Sequence, residues 1–182
     1  MSSEGVASGA GAADQQGSSR QSQQARRAER SRQGRRFARE LAVQGGYNWL
    51  MTGDDIGVID AFLRASDEYH QCDHAYYQKL LQGVLTRTDG LSEAVLPYLD
   101  RPWLQVSAVE RSVLMLAVFE LQHCPEVPYR VVINEAIELA KSMGGNDGFK
   151  YINGVLDRAV PKLREVEWQA KQQANQSSRT AT

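Results

Sequence analysis

SAVERSVLMLAVFEL, residues 107–121, opens on a serine, reaches Glu110 three positions later and then runs through apolar side chains on nearly every side of a helix. Ser107 and Glu110 form a capping box, in which each side chain satisfies a backbone N–H of the other's end of the first turn. A helix that is apolar all round has to be covered all round. Residues 109–121 are therefore expected to be the central buried helix, with the rest of the fold arranged about them.

The segments on either side read as helices that could supply that cover. Downstream, Pro128 suits the first turn of a helix whose Ile133, Ala136, Ile137 and Ala140 face inward and which Gly144-Gly145 ends. Asp147 is placed to cap a last helix that buries Phe149, Ile152, Leu156 and Val160 and bends or frays near Pro161. Upstream, a first helix is expected over Arg35 to Leu50, with Phe37, Ala38, Leu41, Gly45 and Trp49 on one side; Gly45-Gly46 either weaken it or admit a close neighbour. A second, Asp55 to Ala65, is expected to bury Ile56, Ile59, Phe62 and Leu63. A third, Asp73 to Leu85, buries Tyr77, Leu80, Leu81 and Val84, and a short fourth spans Leu91 to Leu96. No stretch carries the sustained alternation of a strand. The fold class is all-α, with about seven helices and no internal repeat.

At 182 residues the chain has the length of one domain. Residues 1–31 hold almost no large apolar side chain, so they are expected to form a basic extension that is disordered in isolation. The helical domain occupies 32–165, and 166–182 is a Gln-rich tail, also expected to be disordered, whose start Trp168 could pin. The net charge of −1 conceals an asymmetry. Residues 1–39 carry eight arginines against Glu4, Asp14 and Glu29, a net of +5, which leaves 13 basic and 19 acidic residues, a net of −6, for the remainder. A basic arm on an acidic body seeks a polyanion. Two cysteines, Cys72 and Cys124, are too few for a disulfide framework, and no apolar run approaches the ~18 residues of a membrane span. The first 34 residues lack the apolar stretch of a secretory signal, so a cytoplasmic location is expected.

The sharpest chemical signal is Arg32, Arg35, Arg36 and Arg39, spaced i, i+3, i+4, i+7. On a helix these four fall within an arc of roughly 100°. Such a guanidinium ridge repels itself until a phosphate backbone relieves it through bidentate contacts and counterion release; otherwise it is a solvated face. Arg20, Arg26, Arg27 and Arg30 extend it into an arm able to fold on RNA. Tyr47 projects beside the same arc, where its ring either stacks an unpaired base or packs in the core. On the last helix Tyr151, Arg158 and Lys162 share the face opposite the core residues, with Lys150 nearby: a second surface for nucleic acid or a partner, or ordinary exposure.

Other chemistry finds little support. His70, Cys72 and His74, with His123-Cys124, lack the C-x-x-C pairs of familiar zinc sites, and His74 reads as a packing histidine. Gly144, Gly145 and Gly148 follow a helix rather than a strand, so no phosphate-loop fingerprint is present. The expectation is no metal, no cofactor and no catalytic residue.

Three stretches carry a family resemblance: RRFARELAVQGGYNWL (35–50), LLQGVL (80–85) and PYRVVINEAIELAKSMGGNDGFKYINGVLD (128–157), joined by the central SAVERSVLMLAVFEL. Together they resemble the NusB family over about residues 35–163. The resemblance implies two packed helical sub-bundles, no enzyme activity, and a transcription antitermination role in ribosomal RNA synthesis within the RNA polymerase elongation complex and its other Nus factors. It implies that Arg35, Arg36 and Arg39 contact boxA RNA, that Tyr47, Asp147, Lys150 and Tyr151 face RNA as well, and that Glu110 lies on the helix turned toward the protein partner NusE, a small-subunit ribosomal protein. Phe37 stands where a third consecutive arginine can occur. Some relatives form homodimers that cover the arginine helix, so the resemblance leaves monomer and homodimer open. Two other readings stand beside this one: a non-catalytic protein-interaction scaffold, and a NusB-like domain of the kind that precedes RNA cytosine methyltransferases. After Leu163, however, no strand, glycine-rich turn or cysteine follows.

Overall fold

The computed structural model describes the backbone of residues 10–145 and 147–180 and the side chains of 22–145 and 147–176. The described chain is helical: α1 (Ala10–Thr52), α2 (Ile56–Leu63), α3 (Asp67–Gln71), α4 (His74–Leu85), α5 (Thr88–Val95), α6 (Ala108–His123), α7 (Tyr129–Met143), α8 (Gly148–Leu163) and α9 (Glu165–Thr180). Short 3-10 turns lie at Leu96–Tyr98 and Trp103–Gln105. No strand occurs among the described residues, and none of their helices is long and apolar enough to cross a membrane.

Helix α6 is the axis of the molecule. Its capping box forms as the sequence requires: the Ser107 hydroxyl accepts from Glu110 N at 3.2 Å, and Ser107 N donates to Glu110 Oε2 at 3.1 Å. Every residue from Ser112 to Leu121 is buried. Helices α2, α3 and α4 pack on α1, and α1, α4 and α5 pack on α6, while α7 and α8 pack together and also reach α6. The two sub-bundles thus share one helix and one continuous apolar cluster. Fully buried side chains such as Tyr77, Leu80, Leu114 and Leu156 each contribute about 1.5–3 kcal/mol through area removed from water.

Two glycines set how closely the helices approach. A Cβ at Gly83 would sit 2.0 Å from the Phe119 ring, and one at Gly45 would sit 2.4 Å from Leu81 and 3.1 Å from Leu63. The Gly45-Gly46 pair therefore admits neighbours rather than weakening α1. Gly46 lies against Ser112, whose hydroxyl donates to Val43 O at 2.6 Å and ties α1 to α6.

Several elements differ from the sequence reading. There are nine α-helices among the described residues rather than about seven, because α3 and α9 were not expected. Phe62, expected in the core, is 62% exposed. The reason is Gly45: Ile59 and Leu63, one turn apart on α2, fill the space it leaves, and this turns Phe62 and Val58 outward. Asp147 precedes α8, but its side chain makes no cap hydrogen bond and instead pairs with Lys150 at 2.8 Å.

In the segment read as a basic extension, α1 runs from Ala10 onward, which suits its Ala, Gln and Arg content. Side chains 22–33 are all exposed, and packing begins at Gly34, where Gly34 O accepts from Asp73 N at 2.9 Å. The Gln-rich tail likewise continues as α9. Trp168 packs against the core, and Arg164 clamps the junction by donating to the carbonyls of Leu121, Cys124 and Val127 and by pairing with Glu167 at 2.8 Å. Residues 1–9 and 181–182, the outermost parts of both expected tails, lie outside the described residues.

Candidate nucleic-acid interface

The four arginines of α1 divide into two kinds. Arg32 and Arg36 are open to solvent, with side chains 80% and 58% exposed. Arg36 donates from Nε to Glu40 Oε1 at 3.0 Å, a hydrogen bond that raises its pKa above the ordinary guanidinium value. Arg32 approaches Glu29 at 3.7 Å. Such exposed one-turn pairs are worth little and exchange readily for a phosphate.

Arg39 is the reverse case. It is 3% exposed and does not share the open face. Its Nε and Nη2 donate to Glu120 of α6 at 3.0 and 2.9 Å, Nη1 lies 3.4 Å from Glu135 of α7, and Nη2 reaches the Tyr76 hydroxyl of α4 at 3.4 Å. Tyr76 in turn donates to Glu120 Oε1. Burial opposes the Arg39 charge, but the Glu120 carboxylate outweighs it, so the guanidinium pKa is raised. Burial, and after it Glu120, raises the Tyr76 hydroxyl too. The group fastens α1 to three helices at once. The i, i+7 spacing places Arg39 on the arc of Arg32, yet α6 and α7 close over that end of it.

Arg35 lies between the two kinds. Its side chain is 42% exposed, its guanidinium sits 5.0 Å from the Tyr76 ring centroid, and Nε is 4.0 Å from Asp73. Nε is also buried with no hydrogen-bond partner among the described residues. Tyr47 follows about three turns beyond Arg36 on the same side of α1 and is 37% exposed.

The second group gathers where α6 and α8 begin. Glu110 uses Oε2 for the capping box, and its Oε1 lies against Gly148, where a Cβ would be only 3.0 Å away. Asp147 and Lys150 form an exposed ion pair. Tyr151 is half-buried against the core, with its hydroxyl enclosed and unpartnered among the described residues; burial raises its pKa. The guanidinium of Arg101 lies 4.4 Å over the Tyr151 ring and pairs with Asp100 at 2.9 Å. Arg158, expected to project with Tyr151, donates instead to Tyr98 O at 2.6 Å. Because Gly46 rests on Ser112, the Tyr47 stretch of α1 passes beside the first turns of α6.

Arg101, Tyr76 and Glu120 escaped the sequence reading. Glu120 carried a usable signal, since one carboxylate inside an otherwise apolar helix demands a buried cation. Arg101 carried none, because the turn that brings it over Tyr151 has no periodic pattern. His74 stacks on Tyr69 with ring centroids 4.5 Å apart, and its Nε2 lies 2.8 Å from Tyr69 O. No group of three or more potential metal ligands occurs among the described residues.

The model of the NusB family matches residues 36–161. The transcription antitermination protein NusB of Paraburkholderia xenovorans is 53% identical over 136 residues, which cover 75% of this chain and 94% of that protein. Its namesake in Ralstonia pickettii is 47% identical over 137 residues, covering 75% and 88%. A solved structure of T. maritima NusB superposes with a TM-score of 0.64 at 26% identity, over 74% of this chain and 96% of that one.

Proposed function

Since the chain belongs to the NusB family, we propose that it is a non-catalytic transcription antitermination factor that binds boxA RNA of ribosomal RNA transcripts in the cytoplasm, together with NusE, as part of the RNA polymerase elongation complex with other Nus factors. Arg32, Arg35 and Arg36 hold the phosphate backbone, and Tyr47 stacks an unpaired base beside them. Asp147, Lys150 and Tyr151 extend the track onto α8, with Arg101 over the tyrosine ring. Glu110 lies at the edge facing the protein partner. Arg39 serves the same interface from inside, by holding α1 in place.

One observation carries this reading: exposed arginines and an exposed tyrosine share one side of a helix that a buried Arg39–Glu120 pair locks to the body. Contacts on a helix held in this way are made with little ordering cost. The structured part of the interface is therefore already in the geometry that an RNA strand meets.

The test is a titration of the full chain with boxA RNA and with a scrambled strand, each with and without NusE. The expected result is tighter binding of boxA than of the scramble, tightened again by NusE because a partner of the bound form adds to its stability. Equal affinity for both strands under all four conditions would overturn the reading. Binding of NusE with no effect of RNA would favour the scaffold reading instead.

A further inference from the structure

Where α1 leaves the body it forms one wall of a cleft of about 490 Å³, whose other wall is the turn between α3 and α4. The floor is fixed by Gly34. Its carbonyl accepts the Asp73 N–H, and its missing side chain allows the contact, since a Cβ there would already lie 3.2 Å from Asp73 N. Around this floor stand Arg27, Arg30 and Gln33 from α1, the half-buried ring of Phe37, and His70 and Gln71 from the end of α3. Among the described residues Asp73 is the one acidic residue lining the cleft, and its carboxylate is already engaged, capping Tyr76 N at 3.0 Å and facing Arg35 at 4.0 Å.

The composition selects its occupant. Two exposed guanidiniums at the rim match a phosphate, an aromatic ring inside matches the face of a base, and two carboxamides match the donors and acceptors on a base edge. We propose that this cleft takes one unpaired nucleotide of the RNA strand already bound along α1, with its base against Phe37 and its phosphate held by Arg27 and Arg30. The inference rests on the RNA-binding reading above. At about 100° per residue Arg36 lies about 100° and Arg32 about 140° round α1 from Phe37, so the strand reaches the cleft round the solvent side of the helix past the exposed Gln33. On a helix about 10–12 Å wide that arc is about 9–15 Å, which a short flank of nucleotides spans. The cleft therefore reads a nucleotide just outside the core element. It depends on the basic extension, which precedes the segment matched by the family model.

The experiment compares three RNAs on the full chain: boxA alone, boxA with a flank of about five unpaired nucleotides at either end, and the same flanks built from abasic spacers that keep every phosphate. The base-bearing flank at one end is expected to bind about tenfold tighter than its abasic counterpart, the size of one stacking contact. In Phe37→Leu, which keeps the apolar volume but not the ring face, boxA alone binds as in the parent and the tenfold difference disappears. Arg27→Ala with Arg30→Ala, both on the exposed part of α1, weakens the binding of base-bearing and abasic flanks alike. Equal binding of base-bearing and abasic flanks at both ends overturns the cleft assignment, as does a difference that survives Phe37→Leu. If boxA itself fails to bind, the RNA-binding reading falls and the cleft falls with it, whereas a flank failure with boxA bound removes only the cleft.

Discussion

Arg36 and Arg39 stand three residues apart on one helix and do opposite work. Arg36 points into solvent and shares its charge with a neighbouring carboxylate on α1 itself, while Arg39 is enclosed by α4, α6 and α7 and shares its charge with Glu120 and Glu135. The difference shows that an arginine-rich helix needs two kinds of arginine to present a charged face: some that meet the ligand, and one that prevents the helix from moving when they do. A ridge made only of exposed guanidiniums would repel itself on a helix with nothing to hold it.

The largest effect expected from this contrast follows removal of the buried partner. Glu120→Ala strands the Arg39 charge in the interior, and loss of one partner of a buried pair costs about 3–5 kcal/mol. Urea unfolding measures it. Arg39→Met combined with Glu120→Met removes both charges and should cost less than Glu120→Ala alone, whereas Arg36→Ala should change stability by less than about 0.5 kcal/mol. A Glu120→Ala protein as stable as the parent would remove the distinction between the two arginines.

A smaller loss is expected where a missing side chain is what lets two helices approach closely. Gly83→Ala forces the Phe119 ring, itself buried, out of its place. Overpacking of this kind costs about 1–3 kcal/mol, less whatever alanine returns as helix propensity. Thermal unfolding would show it as a lower midpoint; an unchanged or raised midpoint would mean that Phe119 has room to turn. On the RNA side, Tyr47→Ala should weaken boxA binding by about tenfold, the loss of one base-stacking contact, without lowering stability. An unchanged affinity would leave Tyr47 as a surface tyrosine.

How much of this was legible beforehand follows from the physics of each element. The central helix was legible because an apolar stretch preceded by Ser107 and Glu110 has few other ways to fold, and the glycine pair that ends α7 is a local signal of the same kind. The start of α1 at Ala10 is less legible, because it lies in weak intrinsic propensities continued from a packed segment rather than in burial. The outward turn of Phe62 was also hidden, since it is decided by the space at Gly45 on another helix. At the candidate interface, spacing found the arginines but could not separate Arg36 from Arg39, because the separation lies in Glu120, 81 residues further along the chain.

The smallest effect is one of pH. Burial, followed by the charges of Arg87 and Lys79, lowers the His123 imidazole below its ordinary pKa, and its ring lies 4.9 Å from that of Phe119. The unfolded chain therefore takes up this proton first as pH falls through about 6.5. The contribution is fully present above that value and is lost below it as pH approaches the folded-state pKa. Urea midpoints of the parent should decline slightly more between pH 7 and pH 5 than those of His123→Gln; parallel curves would assign the decline to other groups.

The most direct test of the central claim is the salt dependence of boxA binding by the parent and by Arg32→Ala, Arg35→Ala, Arg36→Ala in one chain. Each phosphate contact on a single strand contributes about 0.7 to the slope of log affinity against log salt, so the triple variant should lose about 2 from that slope while retaining its helical content. An unaltered slope in a folded triple variant would mean that the open side of α1 does not carry the RNA.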